Sequence, residues 1–239
     1  MWWFRSLPRR FSWAAIAAVL AAGAPIGLGL VQAGTAPDAG LAALVRSVKQ
    51  DLPAFVYVTV STLAVFTAFG YVVGRQADAL AALSLTDPLT GLVNHRAFLE
   101  GLEEEVARAG RYGSPLSLLI ADVDGLKGIN DRGGHSAGNL ALQTVADALS
   151  HDARQTDLVA RIGGDEFALI APHTDARDAL ALGDRIRSLV ARQAEGLTVS
   201  VGVATLDPER PTAAALFEAA DLALYDAKRE GRDRVATTG

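Results

Sequence analysis

Arg161-Ile162-Gly163-Gly164-Asp165-Glu166-Phe167 sets two glycines directly before two carboxylates, between the apolar runs 158–162 and 167–171. Short apolar runs around a Gly-Gly pair predict a β-hairpin. The pair suits a two-residue turn whose central positions both need φ > 0, which glycine accepts without steric cost. Asp165 and Glu166 then sit at the mouth of the turn. Adjacent acids repel there, so a divalent cation or a proton must compensate them. The bland alternative is a solvated acidic turn, and neighbouring motifs decide between the two.

Working outward, the continuous apolar run 116–123 predicts a buried strand, and it ends in Asp122-Val123-Asp124-Gly125. Its body is buried while its tip delivers carboxylates to the surface, where α/β sheets place ligands. If the hairpin pairs with this strand, Asp122 lies near Asp165 and Glu166. Three acids then reach one or two Mg²⁺ ions, the kit of two-metal phosphoryl transfer. A lone Asp-x-Asp is more ordinarily a turn or a helix cap. Helices are predicted over 95–110, with Asn94 as cap and Gly110 as terminator, and over 136–149, 175–192 and 212–230. Strand 197–204 and a last edge strand at 234–236 complete an α/β domain over 86–239.

The first third of the chain reads differently. No charged residue lies between Arg10 and Asp38 or between Asp51 and Arg75, and each gap exceeds the roughly 20 residues a spanning helix needs. The expected organisation is a cytoplasmic N-terminus 1–11, a first membrane span 12–31, an extracytoplasmic loop 32–52, a second span 53–74 and a linker helix 75–85. Arg5, Arg9 and Arg10 before the first span and Arg75 after the second favour cytoplasmic ends; Arg46 and Lys49 in the loop make that bias modest. Trp2, Trp3 and Trp13 suit interfacial anchors. Cleavage at Val31-Gln32-Ala33 is the alternative for the first span, disfavoured because its apolar stretch exceeds the roughly 7 to 15 residues of a signal peptide's core. The loop is too short for a sensory domain, so a signal would enter through the membrane helices or a partner.

Composition limits the chemistry. The chain has no cysteine, which removes disulfides, thiolate metal sites and cysteine nucleophiles. Any metal is a hard cation on oxygen ligands. From Arg75 onward 17 basic and 25 acidic side chains give a net charge of −8, which argues against nonspecific nucleic-acid binding.

At this point the chain resembles the diguanylate cyclase family, which is named for its GGDEF motif. Leu85-Thr86-Asp87-Pro88-Leu89-Thr90-Gly91-Leu92 matches the motif that opens the domain. Asp122-Val123-Asp124, Leu126-Lys127, Ile129-Asn130-Asp131 and Gly134-His135 match its metal and guanine segment. Residues 198–204, Tyr225-Asp226-Ala227-Lys228 and Gly231-Arg232 match the remaining two. Val93 and His95 depart from the family's usual Pro and Arg.

The resemblance implies a palm-like α/β (α+β) sheet with surrounding helices, similar to nucleotidyl cyclases and polymerases, preceded by two transmembrane helices. It implies condensation of two GTP into cyclic di-GMP with release of pyrophosphate, across a homodimer in which each subunit holds one GTP. The implied metal ligands for Mg²⁺, with Mn²⁺ as second candidate, are Asp122, the Val123 carbonyl, Asp165 and Glu166. Asp165 is also the implied base. Lys127, Lys228 and Arg232 would meet the phosphates, with Lys228 and Arg232 four apart on one helical face. Backbone N–H groups of a turn at 125–128 are a weaker phosphate signal. Asn130, His135 and position 139 belong to the substrate segment. The family carries Asp where this chain has Asn139, and an amide offers guanine one acceptor in place of a carboxylate. Weaker guanine binding or relaxed purine choice is the expectation. Arg154 and Asp157, six residues before Gly163, match the family's inhibitory product site, with Arg185 on the following helix as a second arginine. The resemblance further implies a multi-pass protein of the bacterial inner membrane with its catalytic domain in the cytoplasm, in contact with membrane lipid. The alternative is a weakly catalytic domain that acts as a cyclic di-GMP receptor through Arg154 and Asp157.

Overall fold

The structure, a computed structural model, describes residues 9–34 and 41–237. Trp2, Trp3 and Arg5 of the expected N-terminal flank, and residues 35–40 of the expected loop, lie outside them. The chain divides into two compact units, Met1–Ser84 and Leu85–Gly239.

The first unit is helical: α1 (Arg9–Ala21), α2 (Gly23–Gly34), α3 (Leu41–Gln50) and α4 (Leu52–Leu83). Two stretches, Arg10–Val31 and Leu52–Ala79, are long and apolar enough to cross a membrane. The first is not one helix. It breaks at Ala22, three residues before Pro25, whose ring and missing N–H conflict with the carbonyl four residues back. Ala22 N–H donates instead to Val19 O at 3.2 Å. The second stretch runs without interruption through the expected linker, so the span and most of 75–85 are one helix. Helices α1 and α4 approach closely at Gly70, where a Cβ would meet Trp13 O at 2.6 Å and Ala17 Cβ at 2.8 Å.

The second unit follows as β1 (Val93–Asn94), α5 (His95–Tyr112), β2 (Leu116–Val123), α6 (Leu126–Asp152), β3 (Leu158–Arg161), β4 (Glu166–Pro172), α7 (Ala176–Gln193), β5 (Val199–Thr205), α8 (Ala213–Arg229) and β6 (Val235–Thr237). Its six-stranded mixed sheet has the order β1-β3-β4-β2-β5-β6. The central strand β2 pairs antiparallel with both β4 and β5, while β1 and β6 add as parallel edges.

Period-two alternation sends successive side chains of β2 to opposite faces. Leu119, Ala121 and Val123 join one apolar cluster with Val145 of α6 and Ile186 of α7. Leu116, Leu118 and Ile120 join another with Phe98 of α5 and Leu224 of α8. The unit is therefore a sheet between two helix pairs. Asp122 shares the parity of Leu118 and Ile120, so it faces the α5/α8 side, and Glu166 faces the same way by parity with Ala168 and Ile170.

Several expected boundaries move, most at the end of α5 and the start of α6. Helix α5 starts as expected, with the Asn94 side chain accepting from Ala97 N–H at 3.1 Å. It passes through Gly110 and ends at Gly113, which takes the left-handed conformation at φ 64°. Helix α6 starts ten residues earlier than expected, directly after Gly125, and bends at Gly134 (φ 72°, ψ 176°). The expected phosphate-binding turn at 125–128 is thus the first turn of a helix.

Candidate active site

The carboxylates come together through register. Asp122 is the cross-strand partner of Glu166, and Val123 N–H donates to Asp165 O at 3.0 Å. Like charges directly opposed on one face of a sheet destabilise it. A cation answers that cost here: Lys228 Nζ lies 2.9 Å from Asp122 Oδ2, reaching down from the last turn of α8. Asp122 is only 8% exposed. Burial raises its pKa above the ordinary carboxyl value, Asp165 and Glu166 add to the rise, and Lys228 opposes it.

Among the described residues no three Asp, Glu or His side chains converge closely enough to hold an ion as they stand. The donor set nonetheless fits a hard divalent cation. Asp122, Asp165, Glu166 and the Val123 carbonyl supply only oxygens, and a half-buried run of acids with one ammonium is short of positive charge.

The turn that carries Asp165 is built differently from the predicted one. Ile162 N–H and Gly163 N–H both donate to Glu166 O, at 2.9 and 3.2 Å, so the tip is the three residues Gly163, Gly164 and Asp165. Neither glycine has positive φ. Gly163 packs against Glu166: a Cβ there would meet its movable Oε2 at 2.5 Å and its Cβ at 3.1 Å. Arg161 braces the tip: Nη2 donates to Gly164 O at 2.6 Å while Nη1 donates to Asp87 Oδ1 at 3.1 Å. Asp87 also accepts from Thr90 N–H at 2.9 Å and Thr90 Oγ1 at 2.7 Å. Its burial works against ionisation, but the Thr90 and Arg161 hydrogen bonds win and hold its pKa below the ordinary carboxyl value. Sequence reasoning quoted both residues inside motifs without giving either this role. An arginine within a hairpin strand next to a Gly-Gly tip was the available signal.

In the expected substrate segment, Asn130 and Asn139 lie on either side of the Gly134 bend, and the bend folds the Asn130 side chain over Gly138, where a Cβ would collide with its Oδ1. Asn139, Lys127 and His135 are exposed. Arg232 departs from expectation: α8 ends at Arg229, so Arg232 does not share a helical face with Lys228 but sits in the following turn at φ 64°. Asp124 does not join the acidic cluster either. Its carboxylate turns to β5, where the Thr198 and Ser200 hydroxyls donate to it at 2.9 and 2.7 Å.

Arg154 and Asp157 form a closed turn away from these acids: Arg154 N–H donates to Asp157 Oδ2 at 2.7 Å, and Asp157 N–H returns to Arg154 O at 3.0 Å. Arg185 of α7 donates to Asp152 at 3.0 Å, two residues before Arg154. All three residues of the expected product site therefore share one neighbourhood, and both arginines are exposed.

Comparison with known proteins agrees with this architecture. The family described as "Diguanylate cyclase, GGDEF domain" matches residues 84–234, and the chain belongs to that family. It is 42% identical over 159 residues to the diguanylate cyclase DgcP of Pseudomonas aeruginosa, covering 64% of this chain and 24% of that one. It is 40% identical over 167 residues to the response regulator PleD of Caulobacter vibrioides, covering 66% and 37%. The chain thus spans between 24% and 37% of the length of these curated relatives. Among solved structures, the GGDEF domain of DgcB from Caulobacter crescentus in complex with c-di-GMP matches with a TM-score of 0.61 at 34% identity, covering 64% of this chain and 92% of that one. The GGDEF domain of TpbB from Pseudomonas aeruginosa matches with a TM-score of 0.58 at 36% identity, covering 63% and 99%.

Proposed function

We propose that the chain is a membrane-anchored diguanylate cyclase that joins two GTP into cyclic di-GMP and releases two pyrophosphates, one GTP being held by each subunit of a homodimer. The observation that carries this reading is the Asp122–Glu166 pairing with Asp165 beside it and Lys228 against Asp122. Asp122, Asp165, Glu166 and the Val123 carbonyl would hold Mg²⁺ or Mn²⁺. Such an ion, when bound, supplies charge to the triphosphate and lowers the pKa of the attacking hydroxyl.

The chain's own residues do the rest. Asp165, on the hairpin tip braced by Arg161, accepts the proton of the 3′-hydroxyl as that oxygen bonds to the α-phosphorus of the partner nucleotide and pyrophosphate leaves. Lys228 stands beside Asp122, from which it can turn to a phosphate once a metal takes over that carboxylate. Lys127 and Arg232 add further cations to the leaving group. Asn130, held over Gly138, and Asn139 read the guanine edge, with His135 beside them. Arg154, Asp157 and Arg185 bind the product and slow the enzyme.

The apolar stretches Arg10–Val31 and Leu52–Ala79 expose large side chains such as Val60, Val65 and Phe69, which suits lipid contact and a cytoplasmic catalytic domain at a bacterial inner membrane. The full chain incubated with GTP and Mg²⁺ is expected to form cyclic di-GMP, and Asp165→Ala to form none. Cyclic di-GMP binding by the parent without any turnover would replace the enzyme with the receptor reading.

A further inference from the structure

Asp124 stands two residues beyond Asp122, yet its side chain, 7% exposed, serves another part of the fold. Besides the Thr198 and Ser200 hydroxyls, it accepts the backbone N–H of Asp233 at 3.1 Å. That contact ties the tip of β2 to the turn that leaves α8. In this turn Arg232 and Asp233 both adopt left-handed backbone, at φ 64° and 44°. L-residues persist in that region only where their surroundings fix them.

The turn is fixed from several sides. Arg232 N–H donates to Ala227 O at 3.1 Å. Asp124 holds the next N–H. The Asp233 carboxylate accepts from Arg187 of α7 at 3.0 Å, and Arg187 is itself held by Asp184 at 3.0 Å. Meanwhile the Arg232 guanidinium is 61% exposed and comes no closer to Asp124 than 4.0 Å. The backbone is pinned while the cationic end of the side chain is left facing outward, just past the α8 turn that bears Lys228.

We propose that Asp124 is a positioning residue for Arg232: together with Arg187 it locks the left-handed turn 231–233 and thereby aims the Arg232 guanidinium at a triphosphate bound beside Asp122 and Lys228. The proposal rests on the reading of Arg232 as a phosphate ligand. A carboxylate that merely stabilised the fold would act equally whether or not Arg232 were present.

The test uses the full-length protein in detergent with Mg²⁺, reading the Kd of 3′-deoxy-GTP, which lacks the attacking hydroxyl, alongside KM and kcat for GTP. Asp124→Ala, Arg187→Ala and Arg232→Ala are each expected to weaken 3′-deoxy-GTP about tenfold, with KM rising alike and kcat changing less than about threefold. The double variant Asp124→Ala/Arg232→Ala is expected to bind no more weakly than Arg232→Ala alone, because Asp124 acts through Arg232. Asp124→Asn retains parental affinity, since its amide oxygen still accepts from Asp233 while its nitrogen donates to Ser200. Should Asp124→Ala fail to fold, Arg187→Ala paired with Arg232→Ala carries the same comparison from the other side of the turn. Additive losses in the double variants, parental affinity in Asp124→Ala or Arg187→Ala, or a loss in Asp124→Asn as large as in Asp124→Ala overturns the proposal and leaves Arg232 as a phosphate ligand. Parental affinity in Arg232→Ala removes the underlying reading as well.

Discussion

Asp122 is the residue on which the proposed chemistry turns, because it is buried, faces two other acids and has one ammonium for company. Its raised pKa has a definite sign. The folded protein holds that proton more tightly than the unfolded chain, so the carboxyl favours the fold less as pH rises through its folded pKa. A divalent cation needs the deprotonated form and repays the loss. Adding Mg²⁺ is therefore expected to raise the thermal midpoint, with the effect fading at an acidic pH above the ordinary carboxyl range. Asp122→Asn should abolish the Mg²⁺ shift, and an unchanged shift in that variant would remove Asp122 from the ligand set. Asp87 has the opposite sign. Its lowered pKa supports the fold above the ordinary carboxyl value and ceases to as pH falls through the folded one. Asn139 bears on selectivity: Asn139→Asp should raise the GTP-to-ATP ratio of kcat/KM about tenfold, by restoring a charged acceptor for two guanine donors. Equal ratios in parent and variant would end that role.

Among the elements, β5 and α8 pack backbone against backbone. A Cβ on Gly202 would collide with Ala220 O and Leu224 N, both backbone atoms that cannot step aside without moving the helix. Gly202→Ala is expected to cost about 2–3 kcal/mol in denaturant unfolding. Gly164→Ala should cost less than about 1 kcal/mol, since nothing lies within 4 Å of its Cβ position and its φ is not positive. A large loss there would revive the two-residue turn. The contrast marks what was legible from sequence. Strand β2 was legible residue for residue because six of its eight residues, all but Ser117 and Asp122, are apolar and polar turns flank it. The cap Asn94 was legible because a short polar side chain before helical periodicity has few other uses, whereas Asp175 and Thr212, read as first helical residues, turn out to be caps as well. The role of the Gly163-Gly164 pair was not legible, since a glycine in left-handed backbone and one at the tip of a longer turn look alike in sequence. Nor does sequence distinguish Gly110, which a helix absorbs, from Gly113, which ends it. Arg232 was misplaced for a related reason: helical spacing from Lys228 says nothing about where the helix stops, and the turn after it is held by contacts to Asp124 and Arg187, far away in the chain.

At the level of the whole molecule, two units of different character share one chain. The unit Leu85–Gly239 has apolar clusters on both faces of its sheet, whereas the first unit turns large apolar side chains outward along α1, α2 and α4. Fractionated cells are expected to hold the full chain in the membrane pellet and a fragment of residues 85–239 in the supernatant, and the full chain in the supernatant would count against the anchor. The two long apolar stretches were plain from the gaps between charges. The break at Ala22 was less so, because Pro25 falls within an otherwise uniform apolar stretch. The sheet of the second unit also closes itself off. Its outermost strands are the two-residue β1 and the three-residue β6, too short to template a further strand. Two such domains that meet would do so through helices and loops, which would leave the ends that carry the proposed site free to slide, tilt or part without unzipping any shared backbone ladder.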